Sequence, residues 1–279
     1  MSEQPYTVAI IQARMSSSRL PGKVLRDIAG KPMLAHVVHR TQRASHVHQV
    51  VVATTSDESD EPIVEFCSAN AIPCYRGSMH DVLDRYYQAA KQHQAQVVVR
   101  ITADCPLIDP QLIDEIVFKF LQGIDDPGSS GDDGIPRLTQ SGYDFAANRL
   151  PPPWGRTYPI GLDTEVCSMH AMEIAWREAS EKHQREHVMP FFYEHPERFR
   201  ILHLDYHTDY GNLRWTVDTP EDLEMIRRVF AYFSPREPES WVEVLELFQQ
   251  HPDLANINQQ IKPKDYRQVD ERQYNQQEK

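Results

Sequence analysis

Arg14, Arg19 and Lys23 in one loop, with Asp104 and Asp218 at the ends of two later apolar runs, have the types and placements needed to handle a polyanion. The loop follows a β-branched run, Val8 to Ile11, and passes through Ser16, Ser17 and Ser18 to Pro21-Gly22, a turn signal just before Lys23. Cations and backbone N–H groups gathered there would offset phosphate charge; the competing reading is three solvated surface charges. The loop is not a Walker loop, because Ser17 stands where Gly is needed and Val24 where Ser or Thr is needed, and no GxGxxG occurs in the chain. Side-chain cations must therefore do at least as much as backbone.

The carboxylates need a reason to face such a loop. Asp104 follows Val97-Val98-Val99-Arg100-Ile101-Thr102-Ala103, a strand pattern stopped by Pro106. It either caps the next turn or, across from a phosphate, shares a divalent cation with it. Asp218 ends the apolar run Leu213 to Val217, where Thr219 reads as an N-cap, Pro220 as the first helical residue and Asp222 as the end of a box-like start. That leaves Asp218 without a capping duty and makes it the candidate partner of Asp104 around one Mg²⁺, with phosphate oxygens and water filling the octahedron.

These residues require strands that end at one edge of a sheet. Runs at Val8–Ile11, Val50–Thr54, Ile72–Tyr75, Val97–Thr102, Tyr143–Ala147, Ile201–Leu204 and Leu213–Val217 read as strands. Helical spacing falls over Met33–Ala44, Glu58–Asn70 behind an Asp57 cap, Val82–Gln92, Pro110–Gln122, Ser168-capped residues to Ala179, Val188–Glu194, Pro220–Phe233 and Ser240–Gln250. The expected class is α/β, a Rossmann-like mixed and mostly parallel sheet flanked by helices, whose ligands sit beyond the strand carboxyl ends. One domain over residues 1–261 is expected. It carries a mobile polar insertion at 123–142, a Pro-rich departure from the sheet at Pro151-Pro152-Pro153 that opens a subregion over 151–200, and a polar, disordered tail at 262–279.

Composition narrows the functions. A net charge of −12 argues against a broad nucleic-acid or anionic-membrane footprint but leaves room for a local basic patch. No apolar run approaches the roughly 20 residues of a membrane span, and MSEQPYT does not read as a signal peptide, so a cytoplasmic protein is expected. Cys67, Cys74, Cys105 and Cys167 form no CxxC and read as reduced, mostly buried residues. His36, His39, His46 and His48 read as a solvated helix face or loop, since no HExxH accompanies them.

The segments AIIQARMSSSRLPGKVL, IAGKPML, RGS with DVLDRYYQAA, RITADCPLID, TYPIGLDTEV, REHV and LRWTVDTPEDLE occur in order from Val8 to Phe233. Together they resemble the SpsF-like, spore-coat polysaccharide branch of the cytidylyltransferases, relatives of the enzymes that make CMP-KDO and CMP-acylneuraminate. The resemblance implies a nucleotide-diphospho-sugar transferase type of fold and activation of a sugar-like acceptor with CTP and Mg²⁺ in a homodimer. By position it implies catalytic roles for Arg14, Lys23, Asp104 and Asp218, the two aspartates as metal ligands. It puts Ala13, Arg14, Ser18, Lys23, Ala53, Thr54, Arg76, Ser78 and Arg85 around the nucleotide, and Arg156, Tyr158, Glu165, Arg185 and His187 around the acceptor, in a segment that also forms part of the dimer interface. In one respect the chain departs: Thr102 stands where the CMP-KDO and CMP-sialate enzymes carry Gln.

The chemistry expected is in-line attack by an acceptor oxygen on the α-phosphorus of a nucleoside triphosphate, with release of pyrophosphate. A glycosyltransferase of similar fold, using a ready-made nucleotide sugar, and a non-catalytic nucleotide sensor are the alternatives. The first usually carries DxD where this chain has Asp104-Cys105-Pro106.

Overall fold

The computed structural model describes residues 4–123, 142–262, 267 and 269; the insertion expected at 123–142 and the tail expected at 262–279 lie, apart from their edges, outside the described residues. In chain order come β1 (Thr7–Gln12), β2 (Asp27–Ile28), β3 (Lys31–Pro32), α1 (Met33–Gln42), β4 (Gln49–Thr55), α2 (Glu61–Ala69), β5 (Cys74–Gly77), α3 (Val82–Gln92), β6 (Val97–Thr102) and α4 (Pro110–Gln122). Then follow β7 (Phe145–Ala147), β8 (Arg149–Leu150), β9 (Gly155–Arg156), β10 (Glu165–Ser168), α5 (Met169–Glu178), α6 (Lys182–His187) and α7 (Pro190–Tyr193). The chain continues through β11 (Ile201–His203), α8 (Pro220–Phe233), α9 (Trp241–Gln250) and α10 (Asp253–Asn256).

The central sheet runs β11-β7-β10-β6-β1-β4-β5. Its half from β6 to β5 is parallel, β10 lies antiparallel to both β6 and β7, and β11 returns parallel to β7. The central strands β1, β4 and β6 are mostly apolar because both faces are covered, and the two-residue period sorts their side chains between two cores. Ala9, Ile11, Val50, Val52, Val97 and Val99 pack with α1, α4, α8 and α9. Val8, Ile10, Val51 and Val98 pack on the other side with α3, α5 and α7. The carboxyl ends of β1 and β6 are thereby fixed side by side, with Gln12 opposite Thr102.

Several sequence expectations change. Residues 213–217 are not a sheet strand. They are held extended by an isolated bridge, Ile160 N–H to Leu213 C=O at 2.8 Å and Trp215 N–H to Ile160 C=O at 2.7 Å, with Val217 N–H donating to Asp104 C=O at 2.8 Å. Their hydrogen-bonding capacity is thus met by two loops at the strand ends rather than by a neighbouring strand. The helix expected at 188–194 shortens to α7, and the polar stretch before it forms a further short helix, α6, which opens on a Glu181–Gln184 capping box; the two are separated where Val188 turns to a φ of 72° ahead of Pro190. The helix after Asp57 begins as a 3₁₀ turn, Glu58–Asp60, with Asp57 accepting from Ser59 N–H at 2.9 Å as a cap. His36 is buried rather than solvated, 2.8 Å from the Ile28 carbonyl, and against Phe230. All the cysteines are free; Cys67, Cys105 and Cys167 are buried and Cys74 half-buried.

Gly161 is where the 213–217 segment meets the loop before β10. Its φ is +108°, and a Cβ there would lie 2.7 Å from both the Trp215 carbonyl carbon and the Thr216 nitrogen. Gly161→Ala is expected to lower the unfolding free energy by about 2–3 kcal/mol, from backbone strain and the forced separation of these two segments. Urea denaturation reads this directly; an unchanged midpoint would contradict the close approach.

Candidate active site

The loop after β1 is built to present its cations. Ala13 N–H extends the β1–β4 pairing by donating to Ala53 C=O at 3.1 Å, after which Met15 N–H donates to Asp60 Oδ1 at 2.7 Å. Asp60 is fully buried, and its other oxygen accepts from the hydroxyls of Thr54 and Thr55 at 3.0 and 2.5 Å. Gly22, at φ +68°, closes the loop back onto Met15 C=O at 2.9 Å and starts the 3₁₀ turn that carries Lys23.

Lys23 points inward. Its Nζ donates to Asp104 Oδ2 at 2.7 Å, Asp218 Oδ1 at 2.8 Å and Val217 C=O at 2.8 Å. Burial pulls its pKa down, but Asp104 and Asp218 outweigh burial and leave it above the ordinary lysine value. Asp218 also meets Arg19 at 2.8 Å and Arg214 at 2.7 Å on its other oxygen. Burial pushes the Asp218 carboxyl up, and Lys23, Arg19 and Arg214 overcome it, holding the group well below the usual carboxylate range.

These groups line a cleft of about 360 Å³, which Arg14, Ser17 and Ser18 also face. Its wall also includes Arg149, Arg156, Asp163, Glu165, His187 and Tyr193. There Arg156 clasps Asp163 with bonds of 2.7 and 3.0 Å across the β9 hairpin and the loop before β10. Arg100, opposite Glu165 in the β6–β10 register, pairs with its carboxylate. The acidic chain thus gathers a disproportionate share of guanidinium and ammonium groups around one opening.

Among the residues expected at a site, Arg14, Ser18, Lys23, Asp104, Asp218, Arg156, Glu165 and His187 line this cleft. The others are placed elsewhere. Ala13, Ala53 and Thr54 are buried beneath the loop. Arg76 sits at the sheet edge on the carbonyls of Thr55 and Asp57 and on Glu61, while Ser78 accepts from Asp81 N–H at 3.0 Å. Arg85 is buried beside Gly77, its Nη1 donating to Ser78 C=O at 2.5 Å, and burial lowers its pKa to about 10. Tyr158 packs against Trp241 and Tyr206, and Arg185 ties α6 to the Asp81 cap of α3 at 2.9 Å. Sequence reasoning missed Arg100, Arg149 and Arg214 in the cleft wall. The signal for Arg100 was present, a lone cation inside a Val-rich buried strand.

Asp104 and Asp218 suit a divalent cation by donor chemistry. Both offer hard carboxylate oxygens, and both already share one cationic group, the Lys23 ammonium. Among the described residues no group of three or more His, Cys, Asp or Glu side chains could hold a metal. Two carboxylates completed by water and phosphate is the arrangement Mg²⁺ accepts.

An α/β sheet with cations and paired carboxylates beyond its strand ends has the place and the charges for a phosphate-bearing ligand. The chain belongs to the cytidylyltransferase family, whose model matches residues 8–254. It is 30% identical over 254 residues to the spore coat polysaccharide biosynthesis protein SpsF of Bacillus subtilis, covering 88% of this chain and 95% of that protein. Its fold matches a cytidylyltransferase from Leptospira borgpetersenii with a TM-score of 0.78 at 29% identity, over 94% of this chain and 100% of that one. It also matches a CMP:2-keto-3-deoxy-manno-octonic acid synthetase complexed with CTP, with a TM-score of 0.56 at 21% identity, over 82% of this chain and 99% of that one.

Folding depresses the pKa of Asp218. A carboxyl depressed by folding contributes stability that is complete above its unfolded value, near 3.8, and is lost as pH falls towards its folded value. Thermal unfolding of the wild type is therefore expected to weaken more steeply below about pH 4 than that of Asp218→Asn. Identical acid profiles for the two would contradict the ion cluster.

Proposed function

We propose that the protein transfers CMP from CTP to a sugar-like acceptor for surface polysaccharide or glycan synthesis, releasing pyrophosphate. The observation that carries this is that Lys23, Arg14 and Arg19 line one cleft with Asp104 and Asp218, Lys23 and Arg19 being paired directly to these carboxylates. Membership of the cytidylyltransferase family supports CTP as donor, and the likeness to SpsF supports a polysaccharide pathway.

In this reading an acceptor oxygen attacks the α-phosphorus in line, forming one O–P bond as the bond to the β-phosphate oxygen breaks. Arg14, Arg19 and Lys23 neutralise the departing pyrophosphate, and Ser18 helps to seat the phosphates. Asp104 and Asp218 would hold Mg²⁺, which when bound offsets phosphate charge and makes an attached oxygen more acidic. Arg156, Glu165 and His187, in the wall of the same cleft, receive the acceptor. Positioning and charge neutralisation supply most of the rate, so no dedicated general base is required. Ala13, Ala53, Thr54, Arg76, Ser78 and Arg85 shape the nucleoside side from behind the loop, while Tyr158 and Arg185 brace the acceptor side. The reading further has the enzyme act in the cytoplasm as a homodimer that contacts its copy through the 151–200 subregion.

The test supplies Mg²⁺, each nucleoside triphosphate and a panel of keto-sugar acids, sugar phosphates and phosphonates while pyrophosphate is followed. Release is expected with CTP and at least one acceptor, and Asp104→Asn is expected to cut turnover at least about hundredfold. A nucleoside diphosphate formed from a sugar nucleotide would indicate a glycosyltransferase instead. Triphosphate binding without turnover for every acceptor would indicate a sensor.

A further inference from the structure

The Asp218 carboxylate does not stand alone at the end of its segment. Behind it lies Asp222, fully buried at the start of α8. One Asp222 oxygen accepts from the backbone N–H groups of Asp218 and Thr219 at 2.9 and 3.1 Å and from Arg214 Nη2 at 3.0 Å; the other accepts from Arg214 Nε at 2.9 Å. The same Arg214 Nη2 reaches forward to Asp218 Oδ2 at 2.7 Å. Asp222 therefore fixes both the backbone of Asp218 and the guanidinium that orients its side chain.

One more residue completes this cluster, and it comes from beyond α10. Asn258 is 3% exposed, and its Nδ2 donates to Asp222 Oδ1 at 2.9 Å and to Arg214 C=O at 3.0 Å. A single amide thus locks the carboxylate and the backbone of its guanidinium partner together from a segment 44 residues further along the chain. A buried carboxylate accepting this many bonds has little freedom to rotate, and the order is passed on to Asp218.

We propose that Asp222 and Asn258 are positioning residues that set the Asp218 carboxylate for the cation, so that the segment after α10 is part of the site although none of its described residues lines the cleft. This rests on the reading of Asp218 as a metal ligand. Residues behind a metal carboxylate usually govern affinity for the ion more than affinity for the rest of the ligand, with losses of about 10- to 100-fold when they are removed.

The test measures CTP binding by calorimetry with and without Mn²⁺, taking the gain in affinity due to the metal as the readout, alongside the Tm. Asn258→Ala is expected to shrink that gain about tenfold while leaving metal-free CTP affinity unchanged. Asn258→Ser is expected to move it the same way by less, and serves if the alanine variant is insoluble. Leu254→Ala, at a core residue in α10 outside the hydrogen-bonded cluster, is expected to lower Tm and keep the gain. An unchanged gain in the Asn258 variants overturns the proposal. A gain that falls equally in Leu254→Ala also overturns it, because the effect then follows stability alone. If the wild type shows no metal-dependent gain, the metal reading of Asp218 fails and this inference fails with it.

Discussion

The Lys23 ammonium, inside a ring formed by Asp104, Asp218 and the Val217 carbonyl, is the contact on which the site's geometry depends. It draws together the loop after β1, the end of β6 and the segment before α8, which are 81 and 195 residues from Lys23 along the chain. A buried ammonium is tolerable only because both carboxylates are present, and two adjacent carboxylates are tolerable only because of the cations around them. Neither half would be stable in that position without the other.

The fold prepares this convergence. Parallel β1 and β6 end level with one another, and the two cores clamp the sheet so that their loops have no freedom to slide apart. Asp60 anchors the first loop from behind, and Asp222 anchors the last segment in the same manner. Buried carboxylates that accept backbone N–H bonds are thus used twice to hold the segments that carry the charged residues of the cleft.

Much of this was legible in the sequence because its signals are local. Pro21-Gly22 marks the turn before Lys23, Pro106 stops the strand at Asp104, and Thr219 with Asp222 accounts for the cap that leaves Asp218 over. The parallel sheet followed from runs that are apolar on both faces. What escaped depends on partners distant in sequence. Met15 reaches Asp60 across 45 residues, Arg100 meets Glu165 across 65, and Asn258 returns to Arg214. No local spacing encodes these pairs. Residues 213–217 misled for a related reason: their apolar alternation suits a strand, but their hydrogen bonds go to loops. Arg85 and Arg185, expected at the nucleotide and the acceptor, also make contacts that no local spacing encodes, tying α3 to the Ser78 carbonyl and α6 to the cap of α3.

One cation site, shared by two distant carboxylates and faced by the loop cations, is central to the proposed chemistry. The most direct measurement is a crystal structure with CTP and Mn²⁺, located by its anomalous signal. The account predicts Mn²⁺ bonded to both Asp104 and Asp218 at about 2.0–2.3 Å, with the triphosphate lying along Arg14, Ser18 and Lys23. Manganese away from this pair, or phosphates lying outside the loop, would contradict it.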